Sequence, residues 1–390
     1  MRNGNPGTFI SVETLYFHFP KLISDFRRND INVCYDTVCT SWMTKEELKM
    51  KKIVYFLLAI CVLAAGAVIL YRSSVSDNAI SVTVYVSEDQ VFSEPILKDF
   101  EQETGIKVNA IYDTEETKGT GVMNRLIAEK DNPQADVYWA NEPIRAEILK
   151  QKGISTPYSS PLAKNFPAMF KDPDSFWTGF SARARVFVVN KNVKDVPKTI
   201  MAYTDPGRKG KGVIANPLFG TTTSEIAALF TIWNDDRAKK FMADMKSNGT
   251  AVATSNGEST DFVAVGQYDF SLVDSDDAVN RMRQGKAINM IYPDQGKNDI
   301  GCFIVPNSVV LVKGAPHSDK GKKLIDYLLS AETEGKLAYA DCAQIPLNPS
   351  VETPKELKPL SKIKVMKVNY SEVAKKMIEI QPFLKKWAGL

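Results

Sequence analysis

The chain is 390 residues long, 44% apolar and 24% charged, with a formal net charge of +3. That length supplies two or three domains, and the composition is ordinary for a globular protein. So small and dispersed a charge gives no argument for a nucleic-acid partner. With only His18 and His317 in the chain, a histidine metal site or a Ser-His-Asp triad is poorly supplied.

Residues 1–49 mix aromatic and polar residues without a sustained period, as in FHFPKL and INVCYDTVCTSW. Met50 leads directly into KKIVYFLLAI, the way an export signal opens. The expected start is therefore Met50, with 1–49 an upstream extension that is not translated; a short cytoplasmic tail is the alternative. From Ile53 to Tyr71, 19 residues run without a charge. That stretch is long enough to cross a bilayer and longer than the usual core of a cleaved signal. Residues 50–72 are expected to be a membrane anchor, a cleaved signal peptide being the other reading. Lys51 and Lys52 keep the N-terminal flank cytoplasmic, so the remainder is exported. Cys302 and Cys342 then sit in an oxidising compartment, and the sequence leaves open whether they meet in a disulfide.

The exported part, 80–390, opens with SVTVYVSEDQ, a strand running into a polar turn. PILKDFEQETGIKVNAIY follows as a helix, a Gly-centred turn and a second strand. After DTEETKGTGVMNRLIAEKDN, a third strand closes the unit in PQADVYWANEP. Open α/β sheets bind ligands in the crevice beyond the C-terminal ends of their strands. That rule places Ser87, Glu88, Asp89, Asp113, Thr114, Asn141 and Glu142 at a site. GFSARARVFVVNKNV is a strand, Arg183 to Val189, that leaves this first lobe. A second series follows: the strand GVIANP, the polar turn FGTTTS, the helix EIAALFTIW and an amphipathic helix around Asp236 to Ser247. The turn TSNG, the strand FSLV, a helix opened by DSDDA and the strand INMIYPD continue it. FIVPNSVVLVKGA returns the chain in extended form, LIDYLLSAETEGKLAYA is a helix pair, and SEVAKKMIEIQPFLKKWAGL is a closing helix. The expected fold class is α/β with two lobes, lobe 1 over about 80–185 and 308–390 and lobe 2 over about 186–307. Two extended crossovers without a flexible linker make a hinge suited to closure on a ligand.

FGTTTSE sets Gly220 and four hydroxyl residues, Thr221, Thr222, Thr223 and Ser224, at a helix start. One hydroxyl suffices for a cap, and helix-start N–H groups attract anions, so the surplus points to a ligand. TSNGEST has the same form around Asn256. VDSDDA brings Asp274, Asp276 and Asp277 within four positions. Acids suit a first helical turn, yet three so close repel one another unless a cation or donor offsets them. Tyr292 and Asp294 follow the next strand and are expected at the same cleft. Arg183 and Arg185 alternate along one strand and share a face, which suits an anionic ligand group or an ordinary salt bridge.

VTVYVSEDQ, the helix ending FEQETGIKV, and ADVYWANE together resemble the bacterial extracellular solute-binding proteins of ABC importers, nearest to the ferric-ion-binding branch of family 1. The resemblance runs from Val82 to the end and includes NPLFGTTTSE and SVVLVKGAPHSDKGKKLIDYLLS. It implies a type II periplasmic-binding fold and a non-enzymatic, monomeric receptor outside the cytoplasm that delivers solute to ABC permease subunits and requires no cofactor. By the same resemblance Asp89 and Glu142 fall on metal-holding positions. Ser275 and Asp276 stand where that branch carries a tyrosine pair, and Thr221 to Ser224, Asn256 and the neighbourhood of Asp274 fall on its anion-binding segments. Two chemistries stay open. Asp89, Glu142 and Asp276, joined by Tyr292, would hold ferric iron as transported cargo with a synergistic anion. Alternatively, the missing tyrosine pair points to an organic phosphate or phosphonate, or an amine-bearing solute. A membrane-tethered sensor for a signalling partner is the competing function. A secreted hydrolase is disfavoured, since no G-x-S-x-G elbow or metalloprotease helix motif appears.

Overall fold

The structure, a computed structural model, describes residues 49–63, 66, 81–113 and 119–389. Thr114 lies outside the described residues, as does the far end of the apolar run. Residues 49–63 form a helix with exposed apolar side chains from Ile53 to Leu63. Among the described residues, no helix is long and apolar enough to cross a membrane. Asp77–Leu390 is a compact unit in its own right.

That unit begins with β1 (Ser81–Val86), whose SVTVYV sequence is covered on both faces, as a parallel strand inside an α/β layer must be. Helix α1 (Gln90–Thr104) follows and ends at Gly105, whose φ of 68° is the left-handed stop that glycine permits. β2 (Lys107–Tyr112) and β3 (Val137–Ala140) flank β1 in parallel, and α2 (Gly121–Ala128) joins them. Helix α3 (Pro143–Gln151) and the short β4 (Ser155–Thr156) lead into β5 (Thr178–Asn190), thirteen residues long and buried throughout.

β5 belongs to two sheets. Its first part, Thr178 to Ala184, pairs antiparallel with β10 (Ile304–Val312), which in turn pairs with β3 and β4. From Arg185 onward it pairs with β8 (Phe270–Asp274), and further along with β9 (Ile288–Ile291). The second sheet continues through β6 (Gly212–Ala215) to β7 (Ala251–Ala253). The first crossover is thus one continuous strand that changes sheets between Ala184 and Arg185. Beside it, the β5–β10 register shifts at Pro306/Asn307, and Ser181 takes a φ of 38°. The second lobe is cored by Phe187, Tyr203 and Phe270, with ring centroids 5.0 to 5.9 Å apart.

Helices α4 (Gly220–Trp233), α5 (Asp235–Ser247), α6 (Asn256–Ala264) and α7 (Ser275–Arg283) cover the second sheet, and α8 (Ser318–Leu328) and α9 (Ala331–Tyr339) pack back on the first. The expected single closing helix is two, α10 (Tyr370–Glu379) and α11 (Gln381–Ala388). Pro382 causes the break, because its ring removes an N–H that a continuous helix would bond. Helix α10 packs on both α3 and α4, and Trp387 of α11 donates to the Met242 carbonyl of α5 at 2.7 Å. These C-terminal helices therefore serve the second lobe as well as the first. Cys302 and Cys342 are both buried free thiols, each donating to a main-chain carbonyl, of Arg185 and Leu337 respectively.

Candidate functional site

A cleft of about 320 Å³ lies beyond the C-terminal ends of β1, β3, β6, β7 and β8. Asp89 follows β1, Asn141 follows β3, and Arg183 projects from the crossover strand. Three helix starts supply the rest: Gly220, Thr221 and Thr222 from α4, Asn256 from α6, and Asp274 with Asp276 at α7.

The helix starts differ in how their first N–H groups are satisfied. In α6, the Ser255 hydroxyl accepts from Glu258 N–H at 3.1 Å, and the Glu258 carboxylate accepts from Thr254 N–H at 2.6 Å. This resembles a capping box, and the S-x-x-E spacing in the sequence announces it. Helix α4 has Phe219 at its cap position, which offers no acceptor, and Asp274 at the cap of α7 makes no cap bond. Its carboxylate is engaged elsewhere, by Arg185, Asn256 and the Thr221 hydroxyl, the last at 2.8 Å. Two helix N-termini without side-chain caps thus open on one cleft, an arrangement suited to anion binding.

Beneath the cleft, Arg185 organises this lobe. Its guanidinium donates to Glu225 at 2.9 Å, Asp274 at 3.1 Å, Thr221, Thr222 and Asn256 at 3.2 Å, and the Leu272 carbonyl at 3.0 Å. It has no exposed surface and does not line the cleft. Arg183, two residues earlier and so on the same face, lines the cleft with Nη1 3.9 Å from Asp274 and Nη2 donating to the Asn141 main-chain carbonyl. Of two arginines with the same pattern, Arg183 therefore lines the cleft and Arg185 lies buried beneath it.

The carboxylates respond to these cations. Burial works against ionisation of Asp274, yet Arg185 and Arg183, with the Thr221 hydroxyl, hold it below the ordinary carboxylate value. At Asp276 burial prevails and, with Asp274 and Asp89 adding to the rise against Arg183, pushes the carboxyl up to about 6.

Of the residues expected at the site, Asp89, Asn141, Gly220, Thr221, Thr222, Asn256, Asp274 and Asp276 line one cleft. Others do not. Thr223 donates to the Pro217 carbonyl, because successive helix residues point about 100° apart and only part of a first turn can face one cleft. Ser87 turns to Asp113 at 3.3 Å and Tyr138 at 2.9 Å, leaving both Ser87 and Asp113 outside the cleft lining. Glu142 is buried against Arg145 and accepts from the Ser224 hydroxyl of α4. Tyr292 stands in a different groove, its hydroxyl accepting from Lys358 N–H at 3.1 Å, and Asp294 is buried where it accepts from Ile200 N–H. The expected trio Asp89, Glu142 and Asp276 is thus not assembled. Among the described residues, the carboxylates close enough to share a cation are Asp274, Asp276 and Asp277, within 4.8 Å. Phe219 and Ser255 of the lining fall in the segments FGTTTSE and TSNGEST, whereas Asn216 and Arg281 lie outside the segments expected to touch a ligand. Arg281 was detectable as the i+4 partner of Asp277, with which it pairs at 3.9 Å.

Comparison with known proteins agrees with this architecture. The Synechocystis sp. protein Iron uptake protein A1 is 29% identical over 296 residues, spanning 71% of this chain and 80% of that protein. A Salmonella typhimurium protein, provisionally assigned as a 2-aminoethylphosphonate-binding periplasmic protein, is 24% identical over 251 residues, 61% of this chain and 69% of its own. Iron-bound HitA from Pseudomonas aeruginosa superposes with a TM-score of 0.71 at 20% identity over 78% of this chain and 99% of that one, which establishes the two-lobed type II fold. A model of the bacterial extracellular solute-binding proteins matches residues 96–365, well over half the chain, and the chain belongs to that family.

Proposed function

We propose that this protein is the extracytoplasmic receptor of an ABC importer and that its cargo is an organic phosphate or phosphonate, with an amine as the favoured second group. The observation that carries the reading is the pair of uncapped helix starts, α4 and α7, opening with Arg183 on a cleft whose described lining includes no tyrosine. Backbone N–H groups and an arginine suit a phosphonate head. Asp89 and Asp276, on opposite sides of the same cleft, suit an ammonium group. The related Salmonella protein bears a name of this ligand class. Binding needs no cofactor and no catalytic group, so the chain acts as a receptor and not as an enzyme. The apolar run from Ile53 to Tyr71 would hold it at the outer face of the cytoplasmic membrane, as a monomer beside its permease.

Ferric iron with a synergistic anion is the second reading. The Asp274, Asp276 and Asp277 cluster favours it, together with the names of the iron-binding relatives. Titration calorimetry on the full-length protein separates the two. Saturable binding of 2-aminoethylphosphonate or a phosphate ester is expected. Binding of ferric citrate, with none of any phosphonate or phosphate ester, would overturn the proposal.

A further inference from the structure

We infer that Arg183 is a built-in cation that fills the charge position between the acids of the two lobes and so makes the cleft select anionic solutes over metal ions. The inference deepens the ligand reading above and rests on it for the class of solute.

The geometry is that of a bridge. Arg183 leaves the crossover strand one residue before it changes sheets. One side of its guanidinium faces Asp274, at the end of β8, and the other donates to the main chain of Asn141, at the end of β3. Asp89 from the first lobe and Asp276 from the second line the same space. Carboxylates lining one cleft from both lobes are what a hard cation would draw on. Here a guanidinium stands among them. Arginine cannot relieve the conflict by losing its proton, as lysine or histidine could, so an entering metal ion would meet a fixed positive charge.

Two buried polar atoms indicate what enters instead. Arg183 Nε and Asn141 Oδ1 belong to side chains at most 4% exposed, both residues line the cleft, and among the described residues neither atom has a hydrogen-bond partner. A buried donor and a buried acceptor left open at one cleft call for a ligand with both an acceptor and a donor. A bare metal ion offers Arg183 Nε no acceptor. A solute with an anionic group and an N–H or O–H group offers a partner to each of the two open atoms.

The test uses terbium(III), a hard trivalent ion whose luminescence is sensitised by protein tryptophan, on the full-length chain. Wild type is expected to give no saturable signal. Arg183→Gln and Arg183→Met, which remove the charge, are expected to bind terbium at least about tenfold more tightly than wild type. Arg183→Lys, whose ammonium can give up its proton as a metal ion enters, is expected to fall between wild type and the uncharged variants. Either uncharged variant suffices should the other not fold. Equal terbium affinity in wild type and the uncharged variants would overturn the inference, as would a tight wild-type signal abolished by Asp276→Asn. A parallel titration with 2-aminoethylphosphonate keeps the two ideas apart. Terbium behaving as expected without phosphonate binding would sink the proposed cargo and leave the role of Arg183 standing. Phosphonate binding with indifferent terbium behaviour would sink the role of Arg183 alone.

Discussion

Arg185 illustrates how much of a binding cleft is held from below. Its side chain spans Glu225 and the hydroxyls of Thr221 and Thr222 on α4, Asn256 on α6 and Asp274 at α7, so it fixes three helix starts relative to one another. Arg185→Met would leave Glu225 buried without its cation and Asp274 with Arg183 alone. The expected loss is about 3–5 kcal/mol of unfolding free energy, measured by urea denaturation; a loss under about 1 kcal/mol would show that the network is dispensable. Asp276 provides a pH signature. Its folded-state pKa of about 6 stands above the ordinary 3.8, so the folded protein holds the extra proton between those values. Stability attributable to Asp276 therefore falls as pH rises from about 4 to 6, and Asp276→Asn should flatten that slope. Asp274 acts in the opposite sense, its contribution being lost as pH falls below the ordinary carboxylate value. Ligand binding should follow Asp276. Affinity for 2-aminoethylphosphonate is expected to climb between about pH 5 and 7, while ethylphosphonate, which has no amine, shows no such climb. Parallel profiles for the two ligands would remove Asp276 from the amine subsite.

Among the elements, the strand–turn–helix units were the most legible part of the sequence. Apolar runs such as SVTVYV and FSLV, each followed by polar residues, mark strand ends, and the fold rule for open sheets then locates the cleft. Side-chain direction within those turns was not legible. Thr221 and Thr222 face the cleft whereas Thr223 and Ser224 turn into the protein, a difference of one helical step that composition does not encode. The helix itself also starts earlier than expected, at Gly220, whose φ of 59° lets the chain turn directly into it. Glu142 was misplaced for a related reason. It neighbours Asn141 in sequence, but Arg145 one turn later in α3 and Ser224 across in α4 draw its carboxylate away. Ser224→Ala removes one of those partners. It should destabilise the protein by about 1–3 kcal/mol while changing ligand affinity less than about threefold, as read from urea unfolding and calorimetry together. A large affinity loss without destabilisation would return Glu142 to the ligand site. The break at Pro382 was visible in the sequence as a proline inside an apolar-periodic stretch.

On the scale of the whole molecule, two lobes share β5, β10 returns the chain to the first sheet, and helix α10 spans α3 of one lobe and α4 of the other. Nothing in local sequence signals that a C-terminal helix will bridge lobes whose other parts lie over a hundred residues earlier; that information resides in long-range packing. The register shift at Pro306/Asn307 and the left-handed Ser181 sit at the crossover, where closure on a ligand would be accommodated. The proposed trigger of that closure is an anionic organic solute held at the helix starts and Arg183. Thermal unfolding of the full-length protein with and without saturating 2-aminoethylphosphonate, against ferric citrate and citrate alone, tests it most directly. At about 100 times its dissociation constant a ligand adds about 2.7 kcal/mol, a rise of several degrees for a domain of this size. That rise is expected with the phosphonate, and none with ferric citrate beyond the citrate control. A rise with ferric citrate alone would contradict that trigger and assign the cleft to the metal.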